Sequence, residues 1–108
     1  MDAIVYGVVI SLGFATLENI EYVYFSKYAG LETAIVRAYS AVPMHCLCAV
    51  VMGYYFGSYV FSGKGKYMGL ALIVPVIFHG TYNFLCAFHN NYFIFVVIIL
   101  LIFSILLY

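Results

Sequence analysis

Four long apolar segments separated by short polar breaks constrain this chain more than any other feature. They cover about residues 3–25, 33–61, 67–88 and 92–107. Hydrocarbon offers an exposed backbone no hydrogen bonds, so only helices and closed barrels cross a bilayer, and runs this long without alternation are helical. The first three segments reach the roughly 20 residues that a spanning helix needs, and the fourth is marginal. The sequence therefore predicts an all-α, polytopic membrane bundle of about four transmembrane helices.

The composition supports the same class of protein. Hydrophobic residues make up 68% of the 108 residues and charged residues 7%, whereas a soluble domain carries about 25% charged residues. The formal net charge is zero and the chain has no basic patch, so the expected partner is the lipid bilayer and not nucleic acid. The length predicts one membrane domain.

The polar breaks are short, which predicts antiparallel neighbouring helices. They cover residues 26–30, 62–66 and 89–91. Lys64 and Lys66 favour a cytosolic position for the second break and for both termini, by the positive-inside rule. Basic residues that flank the first break weaken this preference.

Several polar residues lie inside the apolar segments, where three helices can bring them together. Ionisable groups at bilayer depth are costly and are usually functional. A rise of 1.5 Å per residue places Glu18 and two histidines at about 12 to 18 Å from one membrane face, and Asn83 at about 9 Å from it. The spacing predicts one polar site in one half of the bilayer. Its candidate residues are Glu18, Asn19, Arg37, His45, His79 and Asn83.

Small residues recur at every fourth position beside these polar groups. The row in the first segment is Ala3, Gly7, Ser11, Ala15 and Asn19. The row in the second segment is Arg37, Ala41, His45, Ala49, Gly53 and Gly57. Residues four apart share a helix face, and small residues let helix backbones approach closely in lipid. Both rows are therefore predicted to be packing seams.

The polar residues are compatible with more than one function. A neutral His relays a proton or binds a metal, a carboxylate acts as general base, and an Asn amide stabilises an oxyanion. Glu18, His45 and His79 are the candidate metal ligands. Alternatively, Glu18 is a structural acceptor for Arg37, since buried charges are normally paired. Three functions stay open: hydrolysis of an amide bond by a polarised water, a non-catalytic module that binds a transmembrane helix, and a proton or ion relay, which is least favoured in four short helices without repeats.

The three cysteines, Cys46, Cys48 and Cys86, all fall within apolar segments. This pattern predicts small buried side chains and no disulfide framework. A metal pair formed by His45 and Cys48 is a less favoured alternative, because Cys is a common apolar filler.

Three ordered motifs carry the candidate residues. Residues 12–19 read Leu-Gly-Phe-Ala-Thr-Leu-Glu-Asn, residues 37–45 read Arg-Ala-x-x-Ala-Val-Pro-x-His, and residues 74–84 read Val-Pro-x-x-x-His-Gly-x-Tyr-Asn-Phe. In order and spacing they closely resemble the motifs of the PrsW-type intramembrane proteases, a bacterial family related to the CAAX prenyl endopeptidases. The resemblance covers nearly the whole chain.

The resemblance implies a multi-pass protease of the bacterial cell membrane that cuts a single-pass, membrane-anchored protein such as an anti-sigma factor. His45 would help to hold the catalytic water or a metal, and His79 with Asn83 would form the oxyanion site. Glu18, Asn19 and Arg37 would complete or brace the site. The family is catalogued as metallopeptidase-like, which implies a divalent cation such as zinc. The CAAX relatives are described as metal-free enzymes in which Glu and His activate water, so the cofactor stays open.

One departure from the family pattern bears on activity. The family carries a Glu-Glu-x-x-Lys helix upstream of the segment at which this sequence starts. In the CAAX relatives the corresponding Glu is the expected general base. We therefore expect the chain to be a partial domain of a PrsW-type intramembrane endopeptidase, with a truncated pseudoprotease as the alternative.

Overall fold

The computed structural model describes residues 2–25, 30–88 and 91–107, and the regular structure in these ranges is entirely helical. The predicted all-α class is confirmed. The first and third polar breaks fall largely on residues 26–29 and 89–90, which lie outside the described residues. The helices are α1 (Asp2–Phe25), α2 (Leu31–Tyr39), α3 (Ala41–Ser62), α4 (Gly65–Ala87) and α5 (Phe93–Leu106).

Three stretches are long and apolar enough to cross a membrane. They are α1, the stretch Leu31–Ser62 formed by α2 and α3 together, and α4. The fourth predicted segment forms α5, whose 14 residues extend about 21 Å and fall short of the roughly 30 Å hydrocarbon core. The outer faces carry exposed large apolar side chains such as Phe14 and Ile77. Such faces suit lipid, and the chain is a multi-pass membrane protein.

The structure departs from the single helix expected over residues 33–61 at one point. The stretch breaks at Ser40, whose backbone is non-helical (φ −123°, ψ −61°). Pro43 lacks an N–H and its ring crowds the carbonyl four residues earlier, so a regular turn cannot form there. The Ser40 hydroxyl donates to the Val36 carbonyl at 2.7 Å, which stabilises the broken geometry.

Helix α3 lies at the centre of the bundle and packs against each of the other four helices. The largest fully buried side chains are Met44 and Val51 of α3 and Leu100 of α5. Tyr82 of α4 belongs to the same buried apolar cluster. Because α3 is shared, the positions of α1 and α4 are both set relative to it.

The two predicted small-residue seams pack against each other, so α1 and α3 approach closely. A Cβ placed on Gly53 would lie 2.6 Å from the Ile4 Cα, and one placed on Gly7 would lie 3.4 Å from the Ala49 carbonyl oxygen. Further along, Ser11 donates a hydrogen bond to the His45 carbonyl at 2.8 Å. This packing brings the second half of α1 beside the start of α3.

Candidate active site

The predicted polar residues converge at one end of the bundle. Glu18 and Asn19 lie near the end of α1, Arg37 in the last turn of α2, and His45 near the start of α3. His79 and Asn83 lie in the second half of α4. Because α1 and α4 run in one direction and α3 in the other, these positions meet at a common depth.

A tight ion pair ties α2 to α1. Arg37 Nη2 donates to Glu18 Oε2 at 2.7 Å, and Arg37 Nε donates to Asn19 Oδ1 at 2.7 Å. The guanidinium also lies 4.0 Å from the centroid of the Tyr22 ring, a cation–π contact. Only 11% of the Arg37 side chain and 27% of the Glu18 side chain are exposed, so solvent screens this pair weakly.

The same carboxylate oxygen reaches α3. His45 Nε2 lies 2.9 Å from Glu18 Oε2, and 14% of the His45 side chain is exposed. Glu18 is therefore both the structural acceptor for Arg37 and a direct partner of His45. The two interpretations of Glu18 that the sequence leaves open are compatible in this geometry.

Helix α4 completes the row of contacts. His79 Nε2 lies 3.4 Å from His45 Nε2, and the two rings meet edge to face with centroids 4.8 Å apart. One turn further on, the Asn83 amide lies 3.3 Å from His79 Nδ1. Four side chains from three helices thus form one continuous polar path through apolar surroundings.

The donor set fits a divalent cation. Three residues, Glu18, His45 and His79, each offer one ligand atom, and these three atoms lie within 4.8 Å of one another. Bonds of about 2.0 to 2.1 Å in tetrahedral zinc place ligand atoms about 3.3 Å apart. The two Nε2 atoms lie 3.4 Å apart, close to this value, whereas His45 Nε2 and Glu18 Oε2 are at a hydrogen-bond distance of 2.9 Å and would separate slightly around a cation. Three protein ligands would leave a fourth position for water, as in catalytic zinc sites.

The cysteines take no part in this cluster. Cys48 is buried, and its thiol faces the Pro75 carbonyl at 3.8 Å, so the less favoured pairing of His45 and Cys48 is not formed. All three cysteines are free thiols. Cys48 is buried as predicted, whereas Cys46 and Cys86 are only partly buried.

Two buried residues near the site were missed from the sequence. The Ser40 hydroxyl and the Tyr82 hydroxyl lie 2.9 Å apart, at the break between α2 and α3. Since the Ser40 proton already goes to the Val36 carbonyl, Tyr82 is the donor in this contact. Pro43 signals the helix break, but no local pattern pairs residues 42 positions apart.

A separate cavity of about 760 Å³ lies at the opposite end of the bundle. Its lining includes Asp2, Gly53, Tyr67 and Leu107, and none of the six predicted site residues. Leu107 stands there beside the first turn of α1, so α5 returns to the end at which α1 begins. The cavity and the polar cluster are therefore distinct features.

Together, the fold and the cluster define a multi-pass membrane protein whose membrane-spanning helices carry a polar site of one carboxylate and two imidazoles. The model of the PrsW family intramembrane metalloproteases matches residues 1–108. The chain belongs to this family.

Curated relatives agree with this assignment. A protein named Protease PrsW from Clostridioides difficile is 33% identical over 113 residues, covering 100% of this chain and 46% of the relative. Protease PrsW from Bacillus subtilis is 45% identical over 94 residues, covering 84% of this chain and 42% of the relative. The chain thus spans less than half the length of these relatives. No solved structure matches the chain significantly.

Proposed function

We propose that this chain forms part of an intramembrane endopeptidase that hydrolyses a peptide bond in a single-pass, membrane-anchored protein. The observation that carries the proposal is the convergence of ligand atoms of Glu18, His45 and His79 within 4.8 Å, from three stretches that are each long and apolar enough to cross a membrane. Apolar helices shield the peptide bond from bulk solvent, and such a cluster gives water a polar place to bind. The resemblance points to an anti-sigma-factor-like substrate.

The roles follow from which atoms face one another. Glu18 and His45 polarise a water molecule, whose oxygen attacks the carbonyl carbon of the scissile peptide bond. The cluster accepts the water's proton and returns a proton to the amide nitrogen as the carbon–nitrogen bond breaks. His79 and Asn83 lie beside this point, and the amide of Asn83 serves the developing oxyanion. Asn19 and Arg37 brace Glu18 through the contacts described above.

A divalent cation fits the same three ligand atoms. If bound, it supplies Lewis acidity and lowers the pKa of a coordinated water. His45, His79 and Glu18 would then be its ligands, and Arg37 would orient the carboxylate. Metal content of the purified protein, measured by elemental analysis before and after dialysis against a chelator, distinguishes this form from a metal-free mechanism.

A helix-binding module without cleavage is the second candidate. One observation favours it: the carboxylate oxygen that faces His45 is also held by Arg37, as in a structural ion pair. Such a module would recognise a transmembrane helix and leave it intact.

Reconstitution in proteoliposomes with a single-pass substrate tests both candidates. We expect a discrete cleavage product from the chain alone, or from the chain fused behind a segment that supplies the Glu-Glu-x-x-Lys helix. His79→Ala should abolish this product, whereas Cys46→Ala, a change outside the cluster, should leave it nearly unchanged. Substrate that crosslinks to the chain but stays uncut in both forms would support the helix-binding module, and undiminished cutting by His79→Ala would remove His79 from the mechanism.

A further inference from the structure

We propose that Asn83 is a positioning residue whose amide oxygen accepts the Nδ1–H of His79, so that the His79 Nε2 lone pair faces Glu18 and His45. This inference deepens the proposed function, since it concerns the same site. It follows from counting protons along the row of contacts that joins Glu18, His45, His79 and Asn83.

The count begins at the carboxylate. Glu18 Oε2 accepts a hydrogen bond from Arg37 at 2.7 Å, so the two form an ion pair and the carboxylate has no proton to donate. His45 Nε2 lies 2.9 Å from the same oxygen. Two acceptors cannot form a hydrogen bond with each other, so His45 Nε2 carries a proton and donates it to Glu18.

The next contact fixes His79. Its Nε2 lies 3.4 Å from His45 Nε2, and a protonated His45 Nε2 has no lone pair with which to accept a hydrogen bond from His79. His79 Nε2 therefore presents a lone pair to this contact. A neutral imidazole carries its one proton on the other nitrogen, which is Nδ1.

Asn83 is the group that meets this Nδ1–H. Its amide lies 3.3 Å from His79 Nδ1, one helical turn along α4, with Nδ2 as the nearer atom. Rotation of the amide by 180° exchanges the NH₂ group for the carbonyl oxygen at nearly the same place. The proton on Nδ1 requires an acceptor, and the NH₂ group of Asn83 is not one. We therefore infer the amide orientation in which Oδ1 faces His79.

The same orientation holds with and without a metal. A cation ligated by His45 and His79 would take the Nε2 lone pair of each, and His79 would again keep its proton on Nδ1. Histidine ligands commonly donate the remaining N–H to an outer acceptor, which orients the ring. Asn83 is placed to be that acceptor in either form of the site.

This assignment refines the predicted oxyanion site. A His79 Nε2 that holds a lone pair cannot donate to an oxyanion, whereas the NH₂ of Asn83 points away from His79 and keeps both protons. Asn83 is therefore the donor of the predicted pair, and His79 serves as a base or a ligand.

Nitrogen NMR of the histidine side chains tests the assignment. The chain has three histidines, so long-range ¹H–¹⁵N spectra of ¹⁵N-histidine-labelled protein in nanodiscs are simple, and a His79→Gln sample identifies the His79 signals. We expect Nδ1 of His79 to be protonated and Nε2 unprotonated. Asn83→Asp, which retains an acceptor, should preserve this pattern, whereas Asn83→Leu should leave Nδ1 protonated and move its nitrogen signal upfield, because the hydrogen-bond acceptor is gone.

Asn91→Leu is the matched control, because it makes the same chemical change on an exposed residue outside the cluster; it should leave the His79 signals unchanged. A wild-type His79 protonated at Nε2, or an Nδ1 nitrogen signal that does not move in Asn83→Leu, would overturn the inference. The spectra are read without substrate, so failure to cleave would count against the proposed function alone.

Discussion

Arg37 sets the direction in which Glu18 points. Its two donated hydrogen bonds and its contact with Tyr22 hold the guanidinium against one face of α1. A planar fork of donors suits this task, since Lys offers a point charge that cannot span a carboxylate and an amide together. One cation thus holds the same oxygen of Glu18 that His45 contacts.

Replacing Arg37 should therefore destabilise the protein. Arg37→Met leaves Glu18 without its cation, and we expect a loss of about 2 kcal/mol in the free energy of unfolding, the scale of a hydrogen-bonded charge pair. The unfolding free energy of Arg37→Lys should lie between those of Arg37→Met and the wild type. Thermal unfolding in nanodiscs, followed by circular dichroism, measures both, with exposed Lys64→Met as control. Equal stability of Arg37→Met and wild type would show that the pair contributes nothing.

Helix packing depends on glycine at one position in particular. A Cβ on Gly53 would meet the Ile4 backbone at 2.6 Å, whereas one on Gly57 would meet nothing within 4 Å. Both glycines belong to the same predicted seam, but only Gly53 lies where the backbones touch. In lipid, such close approach is a principal source of helix association.

Gly53→Ala should accordingly push α1 and α3 apart. We expect a loss of about 1 to 3 kcal/mol in unfolding free energy, because overpacking against backbone cannot relax through a rotamer change. Gly57→Ala is the matched control and should be neutral or slightly stabilising, since Ala favours helix over Gly. The same unfolding assay measures both variants. Similar losses of unfolding free energy in Gly53→Ala and Gly57→Ala would indicate an effect of helix propensity and not the loss of a backbone contact.

The contact between Ser40 and Tyr82 joins the break in the second span to α4. Tyr82→Phe removes the donated hydrogen bond and keeps the ring in the core, so we expect a loss of about 1 kcal/mol. Tyr39→Phe, on an 83% exposed residue of α2, should change nothing. A double-mutant cycle with Ser40→Ala isolates the pair, and a coupling energy of zero would refute it.

The arrangement of the whole bundle predicts the side of the membrane on which the site opens. Helices α1 and α4 run towards the cluster, and the connection at residues 63–64 lies at the opposite end. If Lys64 and Lys66 are cytosolic, as the positive-inside rule favours, the cluster lies in the outer half of the bilayer. Cleavage would then occur near the external surface.

Cysteine labelling in intact cells tests this topology. In a background with the three native cysteines replaced by Ala, Lys64→Cys should react with a membrane-impermeant maleimide only after the cells are opened. A cysteine at exposed Glu32, near the other end of the second span, is the matched control and should react from outside. Labelling of Lys64→Cys from outside, with the cysteine at position 32 labelled only in opened cells, would show that the topology is the opposite one.

Local sequence determined the class of protein and the candidate residues. The predicted helices agree with α1, α4 and α5 to within two residues at each end, because a backbone in hydrocarbon must satisfy its hydrogen bonds within its own helix. The six candidate residues come together because polar groups in apolar helices are costly unless they meet partners.

Only the tertiary structure decided which atoms meet. Arg37 and His45 share one oxygen of Glu18, although they lie 19 and 27 positions from it in the sequence. Tyr82 contacts Ser40 across a separation of 42 positions. Helical periodicity fixes the face on which a side chain lies, but not the rotation of a neighbouring helix or the rotamer that brings two atoms within 3 Å. The physical reason is that such contacts are set by the packing of helices against each other, which no single segment encodes.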